Sequence, residues 1–192
     1  MVPVTFYLRD IDADVVRAWK DHFKDIDNVQ ISKGDIFEID ADAIVSPANS
    51  FGYMDGGIDL VYVRRFGWES QDRLQRHLKD EHDGELPVGQ AAIVETLDPV
   101  IPYLVSAPTM RMPMNVSGTL NAYLAFRAAI RAVKQHNASD QNPIQSVLCP
   151  GLCTAIGLMP PGKAAKQMAL AYRVCVLGER INPHDHHRLL RD

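Results

Sequence analysis

The feature that most constrains the fold of this chain is the alternation of short β-branched strands with amphipathic helices. A strand pattern at residues 4–8 leads into apolar residues at helical spacing, and the same succession continues to Cys175 without an internal repeat or a linker. This succession predicts a three-layer α/β/α sandwich with a mixed, largely parallel central sheet. Strands are predicted at residues 4–8, 29–32, 43–45, 89–95, 103–107 and 146–149, and helices at residues 15–26, 58–66, 68–82, 119–136 and 160–175.

Length and composition agree with one globular unit. The chain has 192 residues, of which 46% are hydrophobic and 23% charged. A chain of this size buries roughly 70% of its unfolded surface and needs no disulfide or metal to hold it together. We therefore expect a single domain over residues 1–181, followed by a polar, exposed tail over residues 182–192.

Charge and cysteine content exclude several functional classes. The net charge is −4 with scattered basic residues, which does not predict direct binding to duplex nucleic acid. Three cysteines without metal-ligand spacing favour free thiols and a reducing compartment. The sequence shows neither a leader peptide nor an apolar run long enough for a membrane span. A cytoplasmic protein is expected, with no membrane association, no cofactor and no bound metal.

Two glycine-bearing loops are the informative feature for function. Each follows a strand and leads into a helix: one covers residues 46–57, the other residues 150–157. Ligands of such sheets lie beyond the carboxyl ends of the strands, where helix N-termini offer unpaired N–H groups to an anion. Two such loops can hold one diphosphate between them, although each glycine taken alone could be an ordinary turn residue.

Nucleotide-binding motifs of other kinds do not fit. Residues 157–164 match a phosphate-binding loop of the G-x-x-x-x-G-K-[ST] type except at the last position. Ala164 stands there and lacks the Ser or Thr hydroxyl that binds magnesium. Pro160 and Pro161 also lack the backbone donors that such a loop needs. No G-x-G-x-x-G follows a strand, which disfavours a dinucleotide oxidoreductase.

The segments GDI at 34–36, DAIVSPANS at 42–50 and GGID at 56–59 resemble the signature of the macro domain, an ADP-ribose-binding module. The loop at 150–157 resembles the second phosphate loop of that family, and residues 103–108 resemble its central strand. The resemblance covers residues 29–172. It implies a partner that is ADP-ribose or an ADP-ribosylated macromolecule.

The resemblance also implies roles for individual residues. Asp35 would accept a hydrogen bond from the adenine amino group with Ile36 beside it, and Asn49 would hold the distal ribose. Asp59, ten residues after Asn49, would activate or orient a water at the anomeric carbon, where a carboxylate also stabilises an oxocarbenium-like centre. The implied catalytic residues are Asn49 and Asp59, and the implied ligand-binding residues are Arg9, Asp35, Ile36, Asn49, Gly56, Gly57, Ile58, Gly151, Leu152, Cys153, Thr154, Ala155, Ile156 and Gly157.

The chain also departs from the family pattern. Ser46-Pro47 replaces the usual Asn-Ala, Val63 stands where active members often have histidine, and Cys153 and Ala155 replace glycines. The terminal strand and helix of the family are missing, and residues 4–23 have the pattern to fill that place from the N-terminal side, as in a circular permutation. Arg9 would then stack on the adenine, unless it is only an exposed charge at a strand end.

Three functional hypotheses remain open. The first is an ADP-ribosyl hydrolase acting on modified protein, nucleic acid or O-acetyl-ADP-ribose; the second is a binding module without turnover. The third is a domain that serves only in assembly. A catalytic Asp55, a reactive Cys153 and a metal site at the tail residues His184, Asp185, His186 and His187 are weaker alternatives.

Overall fold

The computed structural model describes residues 3–139, 142–182 and 189–190. Within them, strands and helices alternate as the sequence predicts. The strands are β1 (Thr5–Asp10), β2 (Val29–Lys33), β3 (Ala43–Ser46), β4 (Ala92–Glu95), β5 (Tyr103–Ser106) and β6 (Ser146–Cys149), and the helices are α1 (Ala13–His22), α2 (Gly57–Phe66), α3 (Glu69–His82), α4 (Asn121–Ser139) and α5 (Pro161–Cys175).

The strands form one mixed sheet in the order β2-β1-β6-β3-β5-β4. All neighbouring pairs are parallel except β4 with β5. The carboxyl ends of five adjacent strands, from β2 to β5, therefore lie along the same edge of the sheet. This edge is where a ligand site is expected in an open α/β sheet.

The N-terminal strand is an interior strand of the sheet. β1 pairs in parallel with β2 on one side and with β6 on the other, and α1 packs against α5. Asp12 begins α1 by accepting a hydrogen bond from the Asp14 backbone N–H at 2.8 Å. β1 and α1 are therefore integral parts of the sheet and of the helical layer that covers it.

Helices cover both faces of the sheet, which confirms the three-layer α/β/α architecture. One apolar cluster joins the sheet to α1, α4 and α5 around Trp19, Phe126 and Tyr172. The other joins it to α2 and α3 around Tyr62 and Leu74. The polar outer faces of α1 and α3 follow from charged residues at the positions between the buried ones.

Two expectations about element ends and the tail need correction. The predicted strand from residue 89 begins only at Ala92, because Gly89 (φ +98°) lies in a turn closed by the Gln90 N–H to the Pro87 carbonyl. The tail is not simply an exposed extension, since Leu189 is buried and its carbonyl accepts a hydrogen bond from Gln167. The predicted histidine cluster of the tail lies outside the described residues.

Among the helices in the described part of the chain, none combines the length and the apolar character needed to cross a membrane.

Candidate functional site

The carboxyl edge of the sheet carries five chain segments in a fixed spatial order. They are the turn after β2, the last residues of β1, the loop after β6, the loop after β3 and the segment after β5. Adjacent strands lie about 4.8 Å apart, so this row spans about 19 Å. An elongated ligand lying across the edge would meet the segments in this order.

These segments enclose one open cleft of about 600 Å³. Both glycine-bearing loops line it, so the two loops lie on the same side of the sheet. The predicted site residues that line the cleft are Arg9, Asp35, Ile36, Asn49, Gly56, Gly57, Ile58, Asp59, Gly151, Cys153, Thr154, Ala155, Ile156 and Gly157.

Arg9 fixes the turn after β2. Its guanidinium donates to the Asp35 carbonyl from Nε at 2.6 Å and to the Ser32 hydroxyl from Nη1 at 2.7 Å, and it pairs with Glu38. The side chain lies directly over Gly34, where any Cβ would collide with it. Arg9 is almost fully buried, so the interpretation as an exposed charge at a strand end is wrong.

Asp10, the next residue, holds the loop after β6. One carboxylate oxygen accepts the Gly151 N–H at 2.9 Å, and the other accepts the Asp12 N–H at the same distance. A Cβ on Gly151 would lie 2.9 Å from the Asp10 carboxylate, so the backbone approaches β1 more closely than another residue allows. Consecutive residues of β1 thus position two different walls of the cleft.

The N-terminus of α2 faces the cleft without a side-chain cap. Gly56 is the N-cap, and no side chain bonds to the first turn of the helix. Gly57 has φ +57°, a left-handed conformation that favours glycine. A Cβ on Gly57 would lie 3.8 Å from Ile156 Cδ1, which shows how closely the two glycine-bearing loops approach each other. Exposed helix N–H groups at such a position attract an anion.

The loop after β6 keeps glycine-like geometry where the sequence has lost glycine. Cys153 has φ +67°, in the left-handed region, although it replaces a glycine of the family pattern. Burial raises the pKa of its thiol to about 12. A thiol with such a pKa is protonated at neutral pH, which agrees with an inert cysteine rather than a nucleophile.

The Asn49 side chain bonds to backbone groups of its own loop, whereas its backbone forms a bridge with Met110 after β5. Its Oδ1 accepts the N–H groups of Phe51 at 3.0 Å and Tyr53 at 3.3 Å, and its Nδ2 donates to the Tyr53 carbonyl at 2.8 Å. One N–H of the amide remains for a ligand hydroxyl. Tyr53 and Met54 do not fill the cleft, because Met54 packs in the core beneath it and Tyr53 lies half exposed at its rim.

Asp59 is a buried carboxyl group on the floor of the cleft. The Ser46 hydroxyl donates to its Oδ1 at 2.5 Å. Burial raises the pKa of Asp59 from 3.8 to about 7, and the hydrogen bond from Ser46 opposes that shift. A carboxyl group with its pKa raised in this way can exchange a proton at a pH nearer to neutral than an exposed one can.

Leu152 is the predicted ligand residue that the structure does not bring to the cleft, because its side chain is buried in the core. The sequence interpretation in turn missed several residues that line it. Asp10 and the segment after β5 could have been found from the general rule that ligands lie beyond the carboxyl ends of strands. The missed lining residues are Asp10, Ile11, Asp12, Gly34, Pro47, Ala48, Val61, Thr109, Met110, Pro113 and Pro150.

Comparison with known proteins places the chain in a family. The model of the Macro domain matches residues 45–168. An uncharacterized protein of Aquifex aeolicus is 33% identical over 141 residues, which cover 73% of this chain and 78% of that protein. The chain therefore belongs to the macro domain family. β1, α1 and β2 lie before the matched segment.

Solved structures show the same fold. The macrodomain of Mycobacterium tuberculosis DarG is similar with a TM-score of 0.61 at 23% identity, covering 74% of this chain and 88% of that one. An Oceanobacillus iheyensis macrodomain with ADP has a TM-score of 0.58 at 20% identity, covering 72% of each chain. A mutant of the same macrodomain with ADPR has a TM-score of 0.57 at 19% identity, covering 72% and 73%.

Proposed function

We propose that this chain binds ADP-ribose in the cleft, with adenine at the turn after β2 and the distal ribose at the loop after β3. The observation that carries this proposal is the order of the segments along the sheet edge. Along the edge, the Asp35 carboxylate comes first, the backbone N–H groups of the two glycine-bearing loops follow, and the Asn49 amide comes last. This is the order of adenine, diphosphate and distal ribose in ADP-ribose. The similar structures of the Oceanobacillus iheyensis macrodomain, one with ADP and one of a mutant with ADPR, support this proposal.

The adenine end is polar on one side and apolar on the other. Asp35 Oδ1 accepts the Phe37 N–H at 2.9 Å, so Oδ2 is left for the amino group of adenine. Ile36 and the flat guanidinium of Arg9 also line this end, where each can pack against the base.

The diphosphate would bind to backbone N–H groups rather than to cations. Arg9 is the cation among the described lining residues, and Glu38 already neutralises it. The uncapped N-terminus of α2 and the loop at 151–157 offer the donors and the positive end of a helix dipole.

Titration calorimetry with ADP-ribose, ADP, AMP and inosine monophosphate tests this assignment. In Asp35→Asn, Oδ1 keeps the cap to Phe37 and turns the amide N–H groups toward the adenine amino group, donor against donor. We expect about a tenfold loss of AMP and ADP-ribose affinity and a reduced preference over inosine monophosphate. Asp25→Asn, on the turn after α1, serves as the matched control. Wild-type protein that releases no heat with ADP-ribose would favour a role in assembly only.

A second candidate function is hydrolysis of an ADP-ribosyl linkage, favoured by Asp59. Its carboxylate would take a proton from a water molecule, the water oxygen would bond to the anomeric carbon, and the linkage oxygen would leave with its electron pair. The pKa of about 7 suits a general base at neutral pH.

Incubation with O-acetyl-ADP-ribose and with mono-ADP-ribosylated protein separates an enzyme from a binding module. Asp59→Asn should abolish turnover and leave calorimetric affinity within about threefold. For the wild type, kcat/KM should rise with pH around 7 as Asp59 loses its proton. Wild-type protein that binds ADP-ribose but releases no product would be a binding module without turnover.

A further inference from the structure

The helical layer formed by α4 and α5 carries a basic surface that is separate from the cleft. These two helices contain six Lys and Arg and no Asp or Glu, whereas the rest of the chain holds 14 Lys and Arg against 24 Asp and Glu. We propose that the groove between α4 and α5 binds a segment of single-stranded nucleic acid. This proposal does not depend on ADP-ribose binding, because the described residues that line the groove differ from those that line the cleft.

The two helices run side by side in the same direction. Near the start of α4 the Tyr123 N–H donates to Gln167 Oε1 of α5 at 3.2 Å, and further along α4 the Lys134 ammonium donates to the Cys175 carbonyl at the end of α5. The groove between them has a volume of about 480 Å³ and reaches the last turn of α5. Its lining residues are Arg127, Arg131, Lys134, Gln135, Val174 and Cys175.

Three cations of α4 form the basic wall of this groove. Arg127, Arg131 and Lys134 follow one another at intervals of four and three residues, so they lie on one face of the helix. They span about 10 Å along its axis. Burial raises the pKa of the half-buried Cys175 thiol, and all three cations act against that shift. Their positive charges therefore act on the same point of the groove.

In the described part of the chain, no carboxylate neutralises these three cations. The arginines that form ion pairs there are Arg9, Arg17, Arg65, Arg111 and Arg173. Arg127 bonds to the Tyr123 side chain and Lys134 to a backbone carbonyl, and neither bond removes the charge. Arg131 is exposed and has neither a hydrogen-bond nor an ion-pair partner among the described residues. The groove is thus left with positive charge for an external anion.

The size of the basic wall favours one nucleic-acid strand. A strand in B-form geometry carries one phosphate per about 3.4 Å, so the wall matches about three phosphates. Guanidinium groups bind phosphate oxygens in pairs, and they also stack on bases. A single strand can follow a groove with its backbone. A duplex or a membrane covers a wider area and would also meet the acidic remainder of the chain, which would repel it.

Fluorescence anisotropy with an oligothymidylate about ten nucleotides long tests the proposal. We expect a dissociation constant of about 10 µM at about 50 mM salt. With about three phosphates neutralised, the logarithm of the binding constant should fall against the logarithm of the salt concentration with a slope of about −2, which is a loss of about fifteenfold from 50 to 200 mM.

The same assay compares other anions. An oligouridylate of equal length is included because a ribose strand supplies the same phosphates, and the tighter of the two strands identifies the kind that the groove prefers. A duplex of that length, an oligoglutamate peptide and phosphatidylserine vesicles should each bind at least about tenfold more weakly than the tighter strand.

Variants locate the contact. Arg131→Glu should weaken strand binding at least about tenfold at low salt and reduce the magnitude of the salt slope by about 0.7 or more, because one phosphate contact is lost. Arg76→Glu, at an exposed position of α3 on the other face of the sheet, changes the net charge equally and is the matched control. It should leave the affinity within about twofold.

Three results would overturn the inference. The first is that neither strand binds at low salt. The second is an equal loss in Arg131→Glu and Arg76→Glu, which would mean that net charge rather than the groove governs binding. The third is that the duplex, the peptide or the vesicles bind as tightly as the strands do. Protein that binds a strand but no ADP-ribose would contradict the proposed function and leave this inference standing.

Discussion

The two ends of the cleft are held in different ways. At the adenine end, Arg9 and Asp10 of β1 bond to segments that are remote in sequence, namely the turn at Asp35 and the loop at Gly151. At the distal end, Asn49 bonds to residues two and four positions further along its own loop. The first end is fixed by charged side chains of a sheet strand. At the second end the Asn49 side chain is fixed by local turn geometry, and the backbone of its loop is held by bonds to the segment after β5, such as that from the Ser50 N–H to the Arg111 carbonyl.

Because of this difference, we expect the two ends to differ in how strictly they select a ligand. A subsite held by buried bonds from the sheet loses little conformational entropy on binding and can be selective for one base. A subsite bordered by exposed apolar side chains, such as Tyr53 and Ile156, discriminates less between ligands, because apolar contacts are mostly non-directional. If ADP-ribose binds as proposed, we therefore expect the adenine end to be the more selective end of the cleft.

The largest expected effect on affinity is at the loop that joins the two ends. A Cβ on Gly157 would lie 2.5 Å from the Cys153 carbonyl oxygen, so Gly157→Ala must displace the loop backbone. Calorimetry should show a loss of about 3 kcal/mol, a hundredfold or more, for ADP-ribose and for ADP alike. Gly162→Ala, where a Cβ meets nothing within 4 Å, is the control and should bind as wild type. Unchanged binding by Gly157→Ala would mean that this loop does not hold the diphosphate.

The adenine end is tested by Arg9→Ala. The substitution removes the bond to the Asp35 carbonyl and frees the turn that carries the base-binding carboxylate. We expect about 2 kcal/mol of lost affinity for AMP and much less for ribose 5-phosphate. Arg17→Ala, an exposed arginine on α1, is the control. Equal losses for both ligands would show that Arg9 acts on the whole fold instead of on this end.

The same contrast explains what the sequence could and could not predict. The strand-helix order and the two glycine-bearing loops follow from neighbouring residues, so periodicity and motif were sufficient to predict them. The contacts of Arg9 join residues 23 to 29 positions apart, and the bond from Gly151 to Asp10 joins residues 141 positions apart. Such contacts depend on the sheet order, which a strand pattern alone does not specify.

Ser46 and Leu152 show that the sequence did not predict the direction of individual side chains at the site. The sequence marked Ser46 only as a departure from the family pattern, yet its side chain is the hydrogen-bond donor to Asp59. The resemblance implies a ligand contact for Leu152 as a member of the loop at 151–157, but its side chain is buried in the core. The dihedral angles of a loop decide which of its side chains face the ligand. A loop sequence has no periodicity from which these angles could be predicted.

The buried carboxyl group beneath the cleft should lower stability at high pH. Below about pH 3.8, Asp59 is protonated in both the folded and the unfolded protein. Between pH 3.8 and about 7, the carboxyl group of the unfolded chain loses its proton while that of the folded protein keeps it, so the free energy of unfolding decreases as the pH rises. Above about pH 7 the carboxyl group is ionised in both states, and the free energy of unfolding decreases no further. The gain in the free energy of unfolding from Asp59→Asn should therefore be larger at pH 8 than at pH 4, by up to about 4 kcal/mol for a shift of about three pKa units. Urea denaturation at both pH values measures this, with the exposed Asp55→Asn as control. A gain that is equal at both pH values would contradict a buried, titrating Asp59.

The smallest effect is expected at the distal end. Asn49→Ala removes the one amide N–H left for a ribose hydroxyl, together with three bonds inside an exposed loop. The affinity for ADP-ribose should fall by about 1 kcal/mol, and the affinity for ADP, which lacks the distal ribose, should change less than twofold. Because the loop bonds are lost for both ligands, the difference between the two losses isolates the ribose contact. Asn115→Ala, whose side chain caps only its own turn, is the control on the neighbouring segment. Equal losses for ADP and ADP-ribose would mean that Asn49 shapes the loop without touching the ribose.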